Sequence, residues 1–119
     1  MTAVSPAAGA LAYEMAVVIL YLDLPETLVN VNASDRRQAH RWFECNVPLW
    51  VVETALTLGS LRRLMRPAEA PPLAPIRSLA YFAPVVEELL LAPVPEGYRA
   101  YLQARLRPHL RSPSGAPPG

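Results

Sequence analysis

The chain contains no lysine, a single cysteine, five glycines and two histidines in 119 residues. Cys45 has no second cysteine to pair with, so no internal disulfide staples the fold and nothing calls for an oxidising compartment. None of the glycines cluster, which leaves no phosphate-binding loop and no dinucleotide fingerprint. The Gly-x-Ser-x-Gly elbow of a serine hydrolase is also missing. His40 and Glu44, four apart on one helix face beside Cys45, suggest a metal site only until ligands are counted. Zinc needs three or four converging ligands, and the remaining histidine, His109, lies near the chain end. Those two residues read as a surface pair. Cys45 lacks a base on its own side of the helix, because a residue five positions away points elsewhere. The sequence therefore predicts no catalytic residue, no metal and no cofactor.

Long hydrophobic runs are scarce too. Ala10–Leu22 is apolar apart from Glu14, but Asp23 and Pro25 end it short of the roughly 20 residues a bilayer span requires. Met1–Gly9 carries no positive charge of the kind that opens a secretory signal. The expectation is a cytoplasmic protein with no membrane partner. Eleven arginines face ten acids for a net charge of +1, so no global field draws the chain to nucleic acid or to an anionic surface. A hydrophobic fraction of 52% argues against disorder over the body of the chain. In so short a chain it also raises the odds of a partner surface.

What is present reads as helix. Pro6–Leu24 is apolar on every side, as in a helix central to a core or buried in an interface. Val17–Leu22 has strand propensity as well, but no second such run exists to pair with it. Ser34 offers a cap to a second helix reaching Cys45, with Ala39, Trp42 and Phe43 inward. Asn46-Val47-Pro48 is a sharp junction, since asparagine tolerates the left-handed conformation and proline suits a helix start. A third helix runs from Pro48 to about Met65, with a weak point at Gly59-Ser60. Four prolines between Pro67 and Pro75 form an extended connector, after which Ile76 tucks back. Ser78 caps one turn to Ala83, and Pro84 opens a helix to Leu91. Glu96–Arg107 is the last helix, burying Tyr98, Tyr101, Leu102 and Leu106. The expected architecture is an all-α bundle of about five helices over residues 1–111. The first helix threads its centre, a proline-rich connector crosses one side, and 112–119 form a disordered tail.

Two patterns bear on function. From Ser34 to Arg66 six arginines (Arg36, Arg37, Arg41, Arg62, Arg63 and Arg66) stand against three acids, whereas the preceding segment has three acids and no arginine. Arginine forks grip phosphates bidentately. Arg41-Trp42-Phe43-Glu44-Cys45-Asn46-Val47-Pro48-Leu49, with the helix that follows, makes residues 36–58 resemble a helix-turn-helix. That resemblance implies a second helix lying in the major groove, although Trp50, Val51, Glu53 and Thr54 are poor base readers.

A broader resemblance rests on Leu-Pro-Glu-Thr (24–27), Asp-Arg (35–36), Val-Pro-Leu (47–49), Ser-Leu-Arg-Arg-Leu (60–64) and Ile-Arg-Ser-Leu-Ala-Tyr-Phe (76–82). It is similar to small helical proteins of GC-rich bacteria, which in turn resemble accessory modules of replication initiators and mobile elements. What this implies is a non-catalytic accessory or regulatory module in bacterial DNA metabolism, holding phosphates through the six arginines. The alternative is a protein–protein adaptor or homo-oligomerisation module, with Tyr13 and Val17 on the first helix and Trp50 on the third as anchors.

Overall fold

The computed structural model describes residues 6–111, so the expected tail at 112–119 lies outside the described residues. Five α-helices follow one another: α1 (Pro6–Leu22), α2 (Ala33–Glu44), α3 (Leu49–Leu64), α4 (Ala83–Leu91) and α5 (Glu96–Leu106). Short 3-10 turns at Leu79–Phe82 and Arg107–His109 precede α4 and follow α5. Among the described residues there is no strand, only an isolated parallel bridge between Thr27 and Ile76. The all-α bundle is as expected, and Val17–Leu22 is helical.

The centre belongs to α3, which corrects the expectation that α1 threads it. Val51, Val52, Thr54, Ala55, Leu56, Thr57, Gly59, Ser60, Leu61 and Arg63 are all buried on it, and α1, α4, α5 and the first 3-10 turn pack against it. Two of its polar residues are accommodated because Thr54 and Thr57 donate their hydroxyls to the carbonyls of Trp50 (2.7 Å) and Glu53 (2.9 Å) one turn back. The helix runs through Gly59-Ser60 without interruption. Glycine is needed at 59 for space: a Cβ there would lie 2.7 Å from Cδ1 of Phe82, a side chain fully buried in the core.

By contrast α1 flanks the bundle. Ala10, Val17 and Tyr21 face inward, while Leu11, Met15 and Ile19 remain exposed. Tyr21 is fully buried edge-on to Phe82, and its hydroxyl has no hydrogen-bond partner among the described residues. Burial, helped by the charge of Asp35, pushes its phenol up to about 12. A buried unpaired hydroxyl costs about 1–3 kcal/mol, so Tyr21→Phe should stabilise the fold by about 1 kcal/mol, measured by urea unfolding at neutral pH. The unfolded phenol ionises near 10 and the folded one near 12, so wild-type stability should decline as pH rises between those values. Tyr21→Phe should remove part of that decline; an unchanged alkaline limb would show the phenol is not its source.

Local chemistry explains the junctions. α2 begins two residues earlier than Ser34 implies, because Asn32 and Asp35 form a reciprocal capping box, each side chain accepting the other's backbone N–H at 3.0 Å. It ends as the Asn46 signal predicts, with Asn46 left-handed at φ 59°. The Asn46 and Val47 amides return to the carbonyls of Phe43 and Trp42, completing a Schellman closure. Ser78 makes no side-chain cap; Asp35 instead reaches across and takes the Leu79 N–H at 2.9 Å.

The connector is stitched down rather than merely draped. Ile76 is buried, donates to the Glu26 carbonyl (2.8 Å) and accepts from the Leu28 amide (3.0 Å). Arg63, 8% exposed, sends Nε to Glu26 (2.9 Å) and Nη2 to the Ala74 carbonyl (2.6 Å), and lies over the Tyr81 ring. Glu26 holds this position with φ 64°, a region that favours glycine.

Candidate interaction surface

The six arginines do not make one surface. Arg63 is buried and committed to Glu26 and Ala74. Arg62 forms a two-pronged ion pair with Glu88 of α4. Arg66 lines a separate open cleft of about 620 Å³, walled by Pro67, Pro71, Pro72 and Pro75 together with Glu26. Only Arg36, Arg37 and Arg41 lie side by side, exposed on the outer face of α2.

Burial counts against the helix-turn-helix reading. The helix after the Asn46 turn is α3, enclosed on nearly every side by the rest of the chain, so it is not free to enter a groove. Val51 and Thr54, placed at the base-reading face by that resemblance, are 2% and 1% exposed.

The three proposed partner anchors are similarly redistributed. Val17 is 0% exposed and serves the chain's own core, so it offers nothing to a partner. Tyr13 is half-buried against Phe43 and donates its hydroxyl to the Val47 carbonyl at 2.8 Å. Trp50 is partly exposed, but Arg99 of α5 covers one ring face, its guanidinium 4.4 Å from the ring centroid. Tyr98 and Tyr101, expected inside, are about half exposed and stacked on each other.

The open apolar surface of α1 lies two residues, about 200° of helical turn, from the predicted anchors Tyr13 and Val17. Leu11, Met15 and Ile19 are 59%, 54% and 58% exposed and follow one another at i, i+4 and i+8, forming a single ridge on α1. Val18 and Glu14 border them, and Arg36 of α2 closes the same concavity. The next depression along shares Glu14 and Arg36 and adds Arg37, His40, Arg41 and Glu44. The apolar ridge and the basic row are therefore neighbours. The spacing of Leu11, Met15 and Ile19 was available in the sequence. It was obscured because Val17, Val18, Leu20 and Tyr21 make α1 apolar all round, so no single stripe stands out.

His40 bridges the two helices. Its Nδ1 lies 2.8 Å from Oε2 of Glu14 on α1, and its Nε2 lies 3.5 Å from Glu44 on its own helix. The hydrogen bond to Glu14, reinforced by both carboxylate charges, raises the imidazole above its ordinary value; Arg36, Arg37 and Arg41 are the cations nearby. Because the folded value exceeds the unfolded one, this tie is fully present below about pH 6.5 and fades as pH rises through the folded pKa. An NMR titration of the His40 ring should show the raised midpoint, and Glu14→Gln should return it towards 6.5. A midpoint indifferent to that change would remove Glu14 as the cause.

Among the described residues no group of three or more His, Cys, Asp or Glu side chains is placed to hold a metal ion. No described helix is long and apolar enough to cross a membrane. Comparison with protein-family models, with curated proteins and with solved structures returns no match.

Proposed function

We propose that the chain is a non-catalytic protein-interaction module and that it works through the outer face of α1. The carrying observation is the Leu11–Met15–Ile19 ridge, three large apolar side chains more than half exposed in one line while the opposite face of the same helix is fully used by the core. Contiguous exposed apolar surface edged by polar groups is the signature of an interaction site. The ridge stands on a regular helix tied to α2 by His40, so it is presented rigidly.

A photo-crosslinking residue placed at Met15 tests this in the cell of origin. Position 15 should yield discrete protein adducts that disappear when Ile19→Asp is added, whereas the exposed α5 position Ala104 should yield none. No adduct at 15, or equal labelling from both positions, would set the reading aside.

A module in DNA metabolism is the second reading, and the exposed row Arg36, Arg37 and Arg41 favours it. It predicts duplex or single-strand binding at about 50 mM salt that falls steeply as salt rises. Substituting those three arginines should abolish the binding, whereas Arg62→Gln should leave it in place.

A further inference from the structure

We infer that the face formed by the α1 ridge and the α2 arginines receives an amphipathic helix whose apolar stripe is flanked by acidic residues. This rests on the reading of α1 as an interaction surface and adds the chemistry of the partner. Leu11, Met15 and Ile19 span about 12 Å of helix at 1.5 Å per residue, and an i, i+4, i+8 ridge of that kind is what a second helix packs beside. Along one flank of the ridge stand Arg36, Arg37 and Arg41. The acids that share this face, Glu14 and Glu44, are both within ion-pair distance of His40. None of the three arginines has a carboxylate within 4.0 Å among the described residues. The face is thus apolar at its centre and net positive at its edge, three arginines standing against two carboxylates.

Charge complementarity selects the occupant. A second copy packed antiparallel through the same patch across a two-fold axis would set arginine row against arginine row, and like charges across an interface are costly. An anionic lipid surface offers the right charge. However, the exposed ridge carries no aromatic residue, and Glu14 lies within its concavity, which weakens insertion among acidic headgroups. An acidic amphipathic helix satisfies both halves of the face at once.

Binding of synthetic helical peptides to the full chain, followed by fluorescence anisotropy, decides the matter. One peptide carries Leu and Ile at i, i+4 and i+8 flanked by Glu; two companions carry Lys or Gln at the flanking positions. The Glu peptide should bind about tenfold more tightly than the Lys peptide, with the advantage shrinking as salt rises. Replacing Arg36, Arg37 and Arg41 by Gln should erase that advantage while leaving binding of the Gln peptide intact. Met15→Asp should abolish binding of every peptide, and thermal melting of both variants reports whether the fold survives. If Met15→Asp abolishes binding but the arginine variant keeps the Glu preference, the acidic partner is wrong and the α1 surface stands. If Met15→Asp changes nothing, both fall; if no peptide binds, the acidic-helix proposal falls and cross-linking from position 15 decides the α1 surface. A dimer in light scattering that Met15→Asp dissolves assigns the face to a second copy. Tighter binding to phosphatidylglycerol vesicles or to duplex DNA than to the Glu peptide assigns it to lipid or to nucleic acid. Each of these outcomes overturns the acidic-helix proposal.

Discussion

Asp35→Ala should lower the stability of the fold by roughly 3 kcal/mol, the largest loss expected from a single polar side chain here. The carboxylate is 2% exposed, and its two oxygens serve different parts of the chain. Oδ2 accepts the Asn32 amide at the start of α2, and Oδ1 accepts the Leu79 amide where the connector enters the 3-10 turn. Loss of a helix cap costs about 1 kcal/mol. A hydrogen bond to a charged group adds about 1.5–3 kcal/mol, and Leu79 is fully buried, so its N–H has no water to turn to. Asp35→Asn tests the assignment, because an amide keeps one acceptor oxygen and sets an NH2 against the second donor. Its penalty should fall between wild type and alanine. Urea unfolding measures both; an alanine variant within about 1 kcal/mol of wild type would show that these bonds contribute little net.

Arg63→Ala should cost about 2–3 kcal/mol, somewhat under the 3–5 kcal/mol typical of breaking a buried ion pair. The discount reflects Glu26, whose carboxylate is exposed enough to be hydrated once its partner is gone. The Ala74 carbonyl loses its donor, and the connector loses the side chain that fastens it to α3. Arg63→Met separates packing from polarity: it keeps an apolar stem along α3 and removes every hydrogen bond, so a loss equal to that of alanine assigns the effect to the guanidinium. Arg63→Lys should rescue only partly, because one ammonium cannot reach Glu26, Ala74 and the Tyr81 ring in the directions the planar fork uses. Full rescue by lysine would reduce Arg63 to a bare charge.

The helix content was legible because its signals are local. Asn46 before Val47-Pro48 announces the end of α2 through a left-handed residue, and Pro84 announces the start of α4 through a missing amide. Which helix lies at the centre was not legible. α1 is the more hydrophobic, whereas α3 hides Thr54, Thr57, Ser60 and Arg63, polar residues that on composition alone belong outside. The burial of Thr54 and Thr57 depends on hydroxyls bonded one turn back and that of Arg63 on a salt bridge to a residue 37 positions away, whereas the Ser60 hydroxyl has no partner among the described residues. Ser34 was the obvious cap; the pairing of Asn32 with Asp35 displaced it. For the candidate site, Arg36, Arg37 and Arg41 are exposed, but Arg62 and Arg63 have the same local sequence character. Only the tertiary positions of Glu88 and Glu26 separate the two groups.

The bridge between Thr27 and Ile76 couples segments that secondary structure alone would leave independent. The Leu28 amide is held by the connector, the Ile76 amide by the loop after α1, and the Arg111 amide by Asp23 in that same loop. Arg111 also grips the Leu24 and Thr27 carbonyls through its guanidinium. None of these amides can meet deuterated solvent unless its counterpart lets go. Leu28, Ile76 and Arg111 should therefore exchange at a shared rate, as one cooperative opening unit spread across three regions of the chain.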